Sequence, residues 1–82
     1  MTISQKFITK LLNLDSRKNI DFNDLTKFLK NLGFTERIKG DHFIFSKENV
    51  AEILNIQPNE NNKAKSYQVK QVVDILNKYK ML

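Results

Sequence analysis

Apolar residues along the chain follow two periods, and the switches between them mark out helix, helix, strand, strand, strand, helix. Between residues 2 and 14, Ile3, Phe7, Ile8, Leu11, Leu12 and Leu14 fall close to an i, i+4, i+8 face, with Thr2 and Gln5 spaced as a capping box. This predicts an amphipathic helix of about three turns. Asp15 to Asn19 is a polar connection without periodicity, which sets that helix apart as an appendage or as a stripe offered to a partner. Asp21 then supplies an N-cap for a second helix, whose Phe22, Leu25, Phe28, Leu29 and Leu32 recur at helical spacing up to Gly33, the expected stop.

From Phe34 the period changes to two. Residues 34 to 39 and 42 to 46 read as paired antiparallel strands joined by Gly40-Asp41, because Gly supplies φ > 0 without a Cβ clash in a two-residue hairpin loop. That register makes Lys39 and His42 a cross-strand pair, with Cβ atoms roughly 5 Å apart. Counting by twos puts Arg37, Lys39, His42 and Ile44 on one face and Phe34, Ile38, Phe43 and Phe45 on the other, apolar face, with Glu36 the exception. Lys47 to Ala51 reads as a connecting loop. Glu52 to Gln57 reads as a third strand, with Leu54 and Ile56 joining the buried side and Asn55 and Gln57 the His42 side. Pro58 and the run Asn59 to Asn62 end it. A last helix starts near Ser66, with Val69, Val72, Val73, Leu76 and Tyr79 on one face and Asp74 and Lys78 spaced as an i, i+4 pair.

These elements predict an α+β fold with two helices on one face of a three-stranded antiparallel sheet, plus the extra N-terminal helix. Eighty-two residues suffice for a single domain over 1-82 with one modest core, and they exclude a deep, many-walled catalytic cavity. The net charge of +5 points to a polyanion, a membrane surface or an acidic protein as partner. With no cysteine, disulfides and thiolate metal sites are excluded. No apolar run approaches the ~20 residues of a membrane span, so a cytoplasmic protein without membrane association is expected.

The single histidine, His42, stands among cations beside the hairpin turn. A lone strand histidine is ordinarily a solvated or hydrogen-bonded residue. Imidazole nevertheless titrates near neutrality and suits general acid–base work. A metal site is not expected, since His42 has no second His or Cys at ligand spacing. Lys63 and Lys65 precede the last helix, where cations and free backbone N–H groups favour phosphate. Helix, three strands and helix is also the order of double-stranded RNA-binding domains, a likeness at the level of fold.

The runs FNDLTKFLKNLGF, RIKGDHFIF, EILNIQP and KAKSYQVKQVVDIL, in that order over residues 20 to 80, resemble the HicA toxins of bacterial toxin–antitoxin pairs. The basic-x-basic-Gly-x-His stretch at the hairpin is the most specific part. The resemblance implies a double-stranded RNA-binding-domain-like core over 20-82, metal- and cofactor-independent cleavage of mRNA by His42, and neutralisation by a HicB-type antitoxin. Under it, Arg37, Lys39, Lys63, Lys65 and Lys70 are the residues expected to bind RNA or stabilise charge. Two departures stand out: the family usually has Gly-Ser-His, often with a second histidine, where this chain has Gly40-Asp41-His42-Phe43. The rival expectations are a non-catalytic RNA-binding module and a protein-interaction domain using the same basic face.

Overall fold

The computed structural model describes residues 5–13 and 19–82, in the order α1 (Gln5–Leu12), α2 (Phe22–Asn31), β1 (Thr35–Lys39), β2 (His42–Lys47), β3 (Val50–Ile56) and α3 (Ser66–Lys78). Thr2 with its capping box, Ile3, Leu14 and residues 15–18 of the expected connection lie outside the described residues. The three strands form one antiparallel sheet in the order β1-β2-β3, giving the α+β, double-stranded RNA-binding-domain-like architecture. No helix among the described residues is long and apolar enough to cross a membrane.

Local chemistry sets the ends of α2. The Asp21 carboxylate accepts from the Asp24 N–H at 3.1 Å, satisfying one orphan donor of the first turn. At the other end Gly33 takes φ +101°, a left-handed conformation, its N–H reaches the Lys30 carbonyl, and the Phe34 N–H folds back to the Leu29 carbonyl. That pair of bonds is a Schellman closure, and Phe34 and Leu29, at the two positions of its usual apolar contact, are both buried in the core. Phe34 therefore closes the helix, and β1 begins one residue later than the alternation alone suggests.

The β1–β2 register pairs Lys39 with His42, Ile38 with Phe43 and Glu36 with Phe45. Gly40 sits at φ +62°, the position where a Gly-first hairpin turn needs a left-handed residue. The following connection is shorter than a Lys47 to Ala51 loop: Lys47 pairs with Val50, so only Glu48 and Asn49 turn the chain, Asn49 accepting φ 72°. Phe45 pairs with Leu54, which leaves Ser46 opposite Ala51, Glu52 and Ile53 in a bulge of β3.

Phe45, Leu54 and Ile56 of the sheet are buried against Leu25, Leu29, Val69, Val72, Val73 and Leu76 of α2 and α3. Phe43 is half-buried, its ring edge-on to Phe22 with centroids 4.8 Å apart. Ile38 corrects the expectation of a wholly buried apolar face: near the turn on the outer strand it stays 56% exposed. Glu36, on the same side, pairs with Lys30 of α2 at 3.2 Å. The described part of α1 joins this core rather than standing apart, since Leu11 is fully buried and the Phe7 ring lies 5.0 Å from that of Phe28.

After β3 the chain makes a closed turn. The Asn59 side chain accepts from the N–H groups of Asn61 and Lys63, and the Ala64 N–H donates to the Ile20 carbonyl, fastening residues 59–64 to the start of α2. This return places the first turn of α3 beside the end of β3. At the far end of α3, Lys78 pairs with Glu52 at 2.6 Å instead of with Asp74, which takes Lys70 as its i, i−4 partner at 3.2 Å.

Candidate active site

The sheet face away from the helices carries the predicted constellation. Arg37, Ile44 and Asn55 share one rank across the strands, and Lys39 and His42 share the next, nearer the turn. Arg37, Lys39 and His42 are all exposed, as the hairpin register predicts. A cleft of about 350 Å³ lies between β3 and α3, lined by Leu54, Asn55, Ile56, Val72 and Ile75 among others, and His42 does not line it although its partner Asn55 does. A cationic, solvent-facing sheet surface admits an extended polyanion more readily than a small metabolite.

Both ring nitrogens of His42 have partners. Nδ1 lies 3.1 Å from Asn55 Oδ1, and Nε2 lies 3.3 Å from the side-chain amide nitrogen of Gln57. Strand alternation predicts that Asn55 and Gln57 share the His42 face, and the geometry goes further by joining them to the imidazole. The Asp41 carboxylate is 3.9 Å from Nε2, an ion pair whenever the ring is protonated. Asp41 is itself largely solvated, with its side chain 77% exposed.

Lys65 and Lys63 separate in role. The Lys65 ammonium lies 3.5 Å from the Gln57 side-chain carbonyl, so the residue preceding α3 joins the His42 network through one amide. Its backbone caps α3 without any side-chain capping bond, leaving first-turn N–H groups of that helix available to an anion. Lys63 is held by its backbone against Asp21 and Asn59, and no contact among the described residues links it to His42. Lys70 sits on the exposed side of α3 with its charge taken up by Asp74. Among the described residues no three His, Cys, Asp or Glu side chains come together in a way that could hold a metal ion.

Chemically the cluster offers one base or acid on an exposed strand, two cations a rank or less away, and two neutral amides that fix the ring. The family model described as the HicA toxin of bacterial toxin-antitoxin matches residues 22–78, well over half of the 82 residues and the whole of the sheet and hairpin. No curated protein and no solved structure matches the chain.

Proposed function

Since this chain belongs to the HicA toxin family of bacterial toxin–antitoxin systems, we propose that it is an endoribonuclease that cleaves mRNA through His42 without a metal or cofactor, and that a HicB-type antitoxin neutralises it. The observation that carries the reading is the placement of the one histidine on an open sheet face beside Arg37 and Lys39, with both ring nitrogens in contact with uncharged amides. RNA supplies its own nucleophile. The imidazole takes the 2′-hydroxyl proton, O2′ bonds to the adjacent phosphorus, and the P–O5′ bond breaks. The products are a 2′,3′-cyclic phosphate and a 5′-hydroxyl, the leaving oxygen taking its proton from the imidazolium or from water. Arg37 and Lys39 stabilise negative charge on the phosphoryl oxygens as it grows in the transition state.

Lys63, Lys65 and the α3 N-terminus extend the positive surface and add affinity for the phosphate backbone. Lys70 contributes less, because its ammonium is already satisfied by Asp74. The cytoplasm, where mRNA and an antitoxin are both present, is the compartment this activity requires. The experiment is cleavage of a defined RNA by the wild-type chain and by His42→Ala, with chelator present throughout. Cyclic-phosphate product from wild type and its loss in His42→Ala support the reading. Salt-sensitive RNA binding without cleavage would instead make the chain an RNA-binding module, and equal cleavage by both proteins would remove His42 from the mechanism.

A further inference from the structure

We propose that Asn55, Gln57 and Lys65 are positioning residues that hold the neutral His42 ring with its proton on Nδ1 and its lone pair on Nε2, an inference that rests on reading His42 as the base. The argument is one of donors and acceptors. An ammonium can only donate, so Lys65, 3.5 Å from the Gln57 carbonyl, favours that oxygen on its own side and the Gln57 NH₂ on the side of His42. That nitrogen also can only donate, so Nε2 must accept. A neutral imidazole has one ring proton, which is then on Nδ1, where Asn55 Oδ1 accepts it at 3.1 Å. Nothing in the described network supplies an acceptor to an Nε2–H except Asp41, 3.9 Å away.

The arrangement is anchored outside the site. The Gln57 backbone N–H donates at 2.8 Å to the side-chain carbonyl of Gln68, which is only 7% exposed in α3, so the end of β3 is tied to the helix that Lys65 precedes. Free histidine favours the other tautomer, with the proton on Nε2. The network therefore reverses a default, and it leaves the bare nitrogen at the outer end of the ring where a hydroxyl can reach it. The 3.3 Å contact with Gln57 is at the long end for a hydrogen bond, and a substrate hydroxyl takes its place at Nε2. Once the proton has moved, Gln57 cannot accept it without turning its NH₂ toward Lys65. Asp41 is then the nearest acceptor to the new Nε2–H, which gives the residue that departs from the family's Gly-Ser-His pattern a place in the cycle.

The test uses the ring ¹⁵N resonances of the full chain, which are unambiguous because it contains one histidine. In wild type, at a pH where the ring is neutral, Nε2 is expected to show the shift of an unprotonated nitrogen and Nδ1 that of a protonated one. Gln57→Glu presents only acceptors to Nε2 and is expected to move the proton there. It should also lower RNA cleavage by roughly 10²-fold, approaching loss of the base itself. Amide spectra superimposable on wild type establish that the variant is folded. Lys65→Met, which frees the Gln57 amide to turn, is expected to give a mixture of the two tautomers. A wild-type ring with its proton on Nε2, or an unchanged tautomer in Gln57→Glu, would overturn the inference. These outcomes are separable from failure of the base: if His42→Ala cleaves normally, the catalytic reading falls whichever nitrogen carries the proton.

Discussion

Two polar clusters meet strand β3 on its opposite faces, and they are built differently. On the helix-covered side the Glu52 carboxylate takes the Lys78 ammonium and the Tyr79 hydroxyl, both at 2.6 Å. On the open side Asn55 and Gln57 hold His42 at 3.1 and 3.3 Å, with Lys65 behind Gln57 at 3.5 Å. The first cluster is charge-assisted and closed, clamping the sheet to the end of α3. The second joins the imidazole to two neutral amides at longer distances, with the Asp41 carboxylate 3.9 Å from Nε2, so its members can exchange partners. Short contacts between opposite charges fasten the scaffold here, whereas the contacts around the imidazole are longer and lie on the exposed face.

Substitutions that hit one side alone separate the two clusters most clearly. His42→Ala is expected to lower RNA cleavage by ~10² to 10⁴ while changing unfolding free energy by no more than about 0.5 kcal/mol, read from cleavage kinetics beside a urea titration. Leu54→Ala, next to Asn55 in sequence but buried on the other face, should show the converse. Its stability is expected to fall by ~2 to 5 kcal/mol, with the surviving folded protein retaining a functional His42 site. A Leu54→Ala protein of wild-type stability would mean that β3 does not divide core from site.

A smaller effect is expected from changing Lys63 and Lys65 together to Ala. RNA binding should weaken for all sequences, and the slope of log affinity against log salt should fall by ~0.7 to 0.9 for each phosphate no longer neutralised. On the proposed role of Lys65 in orienting Gln57, the double variant should show a cleavage rate that saturating RNA does not restore, whereas Lys63→Ala alone should be rescued by saturation.

The smallest effect is at Glu52, whose carboxyl is held at about 2, below its usual 4.5, first by the Lys78 hydrogen bond and then by that of Tyr79. A carboxyl held low in the folded state favours folding above its ordinary value. That contribution is complete above pH about 4.5 and is lost as the pH falls from there through about 2. Lys78 is correspondingly raised by the same partner, so its share is present below 10.5 and disappears only as pH rises beyond that. Glu52→Gln should flatten the acid limb of a stability-against-pH curve without altering cleavage at neutral pH. Lys78 is exposed and Glu52 only half-buried, so solvent screens the pair and the change should be modest. An unchanged acid limb would show that the clamp does not contribute to folding.

Much of this was legible in the chain because the hairpin is short. Gly40-Asp41 leaves a single sensible register, and alternation from it puts Arg37, Lys39 and His42 on one face and Phe45 on the other. Alternation tells which way a side chain points and not how far the covering helices extend, so Ile38 has the right face and the wrong exposure. The Glu48-Asn49 turn was hidden because it uses no glycine, Asn49 taking the left-handed conformation in its place. The Asp74 and Lys78 spacing misled because a carboxylate 26 residues away in sequence competes better for Lys78 than one on its own helix. Asn55 and Gln57 could be assigned to the His42 face from period alone. Their connection to Lys65 depends on the closed turn over residues 59–64, a tertiary feature that no local spacing encodes.

The bulge in β3 has a consequence for behaviour at high concentration. A three-stranded sheet leaves β3 as an outer strand, and outer strands invite another chain to extend the ladder. Here Ala51, Glu52 and Ile53 stand opposite the one residue Ser46, and the Ala51 N–H is already taken by the Tyr79 hydroxyl at 3.2 Å. An incoming strand would slip out of register halfway along and find one of its acceptors without a donor. The β3 edge thus carries its own guard against pairing with another chain edge to edge into fibrils.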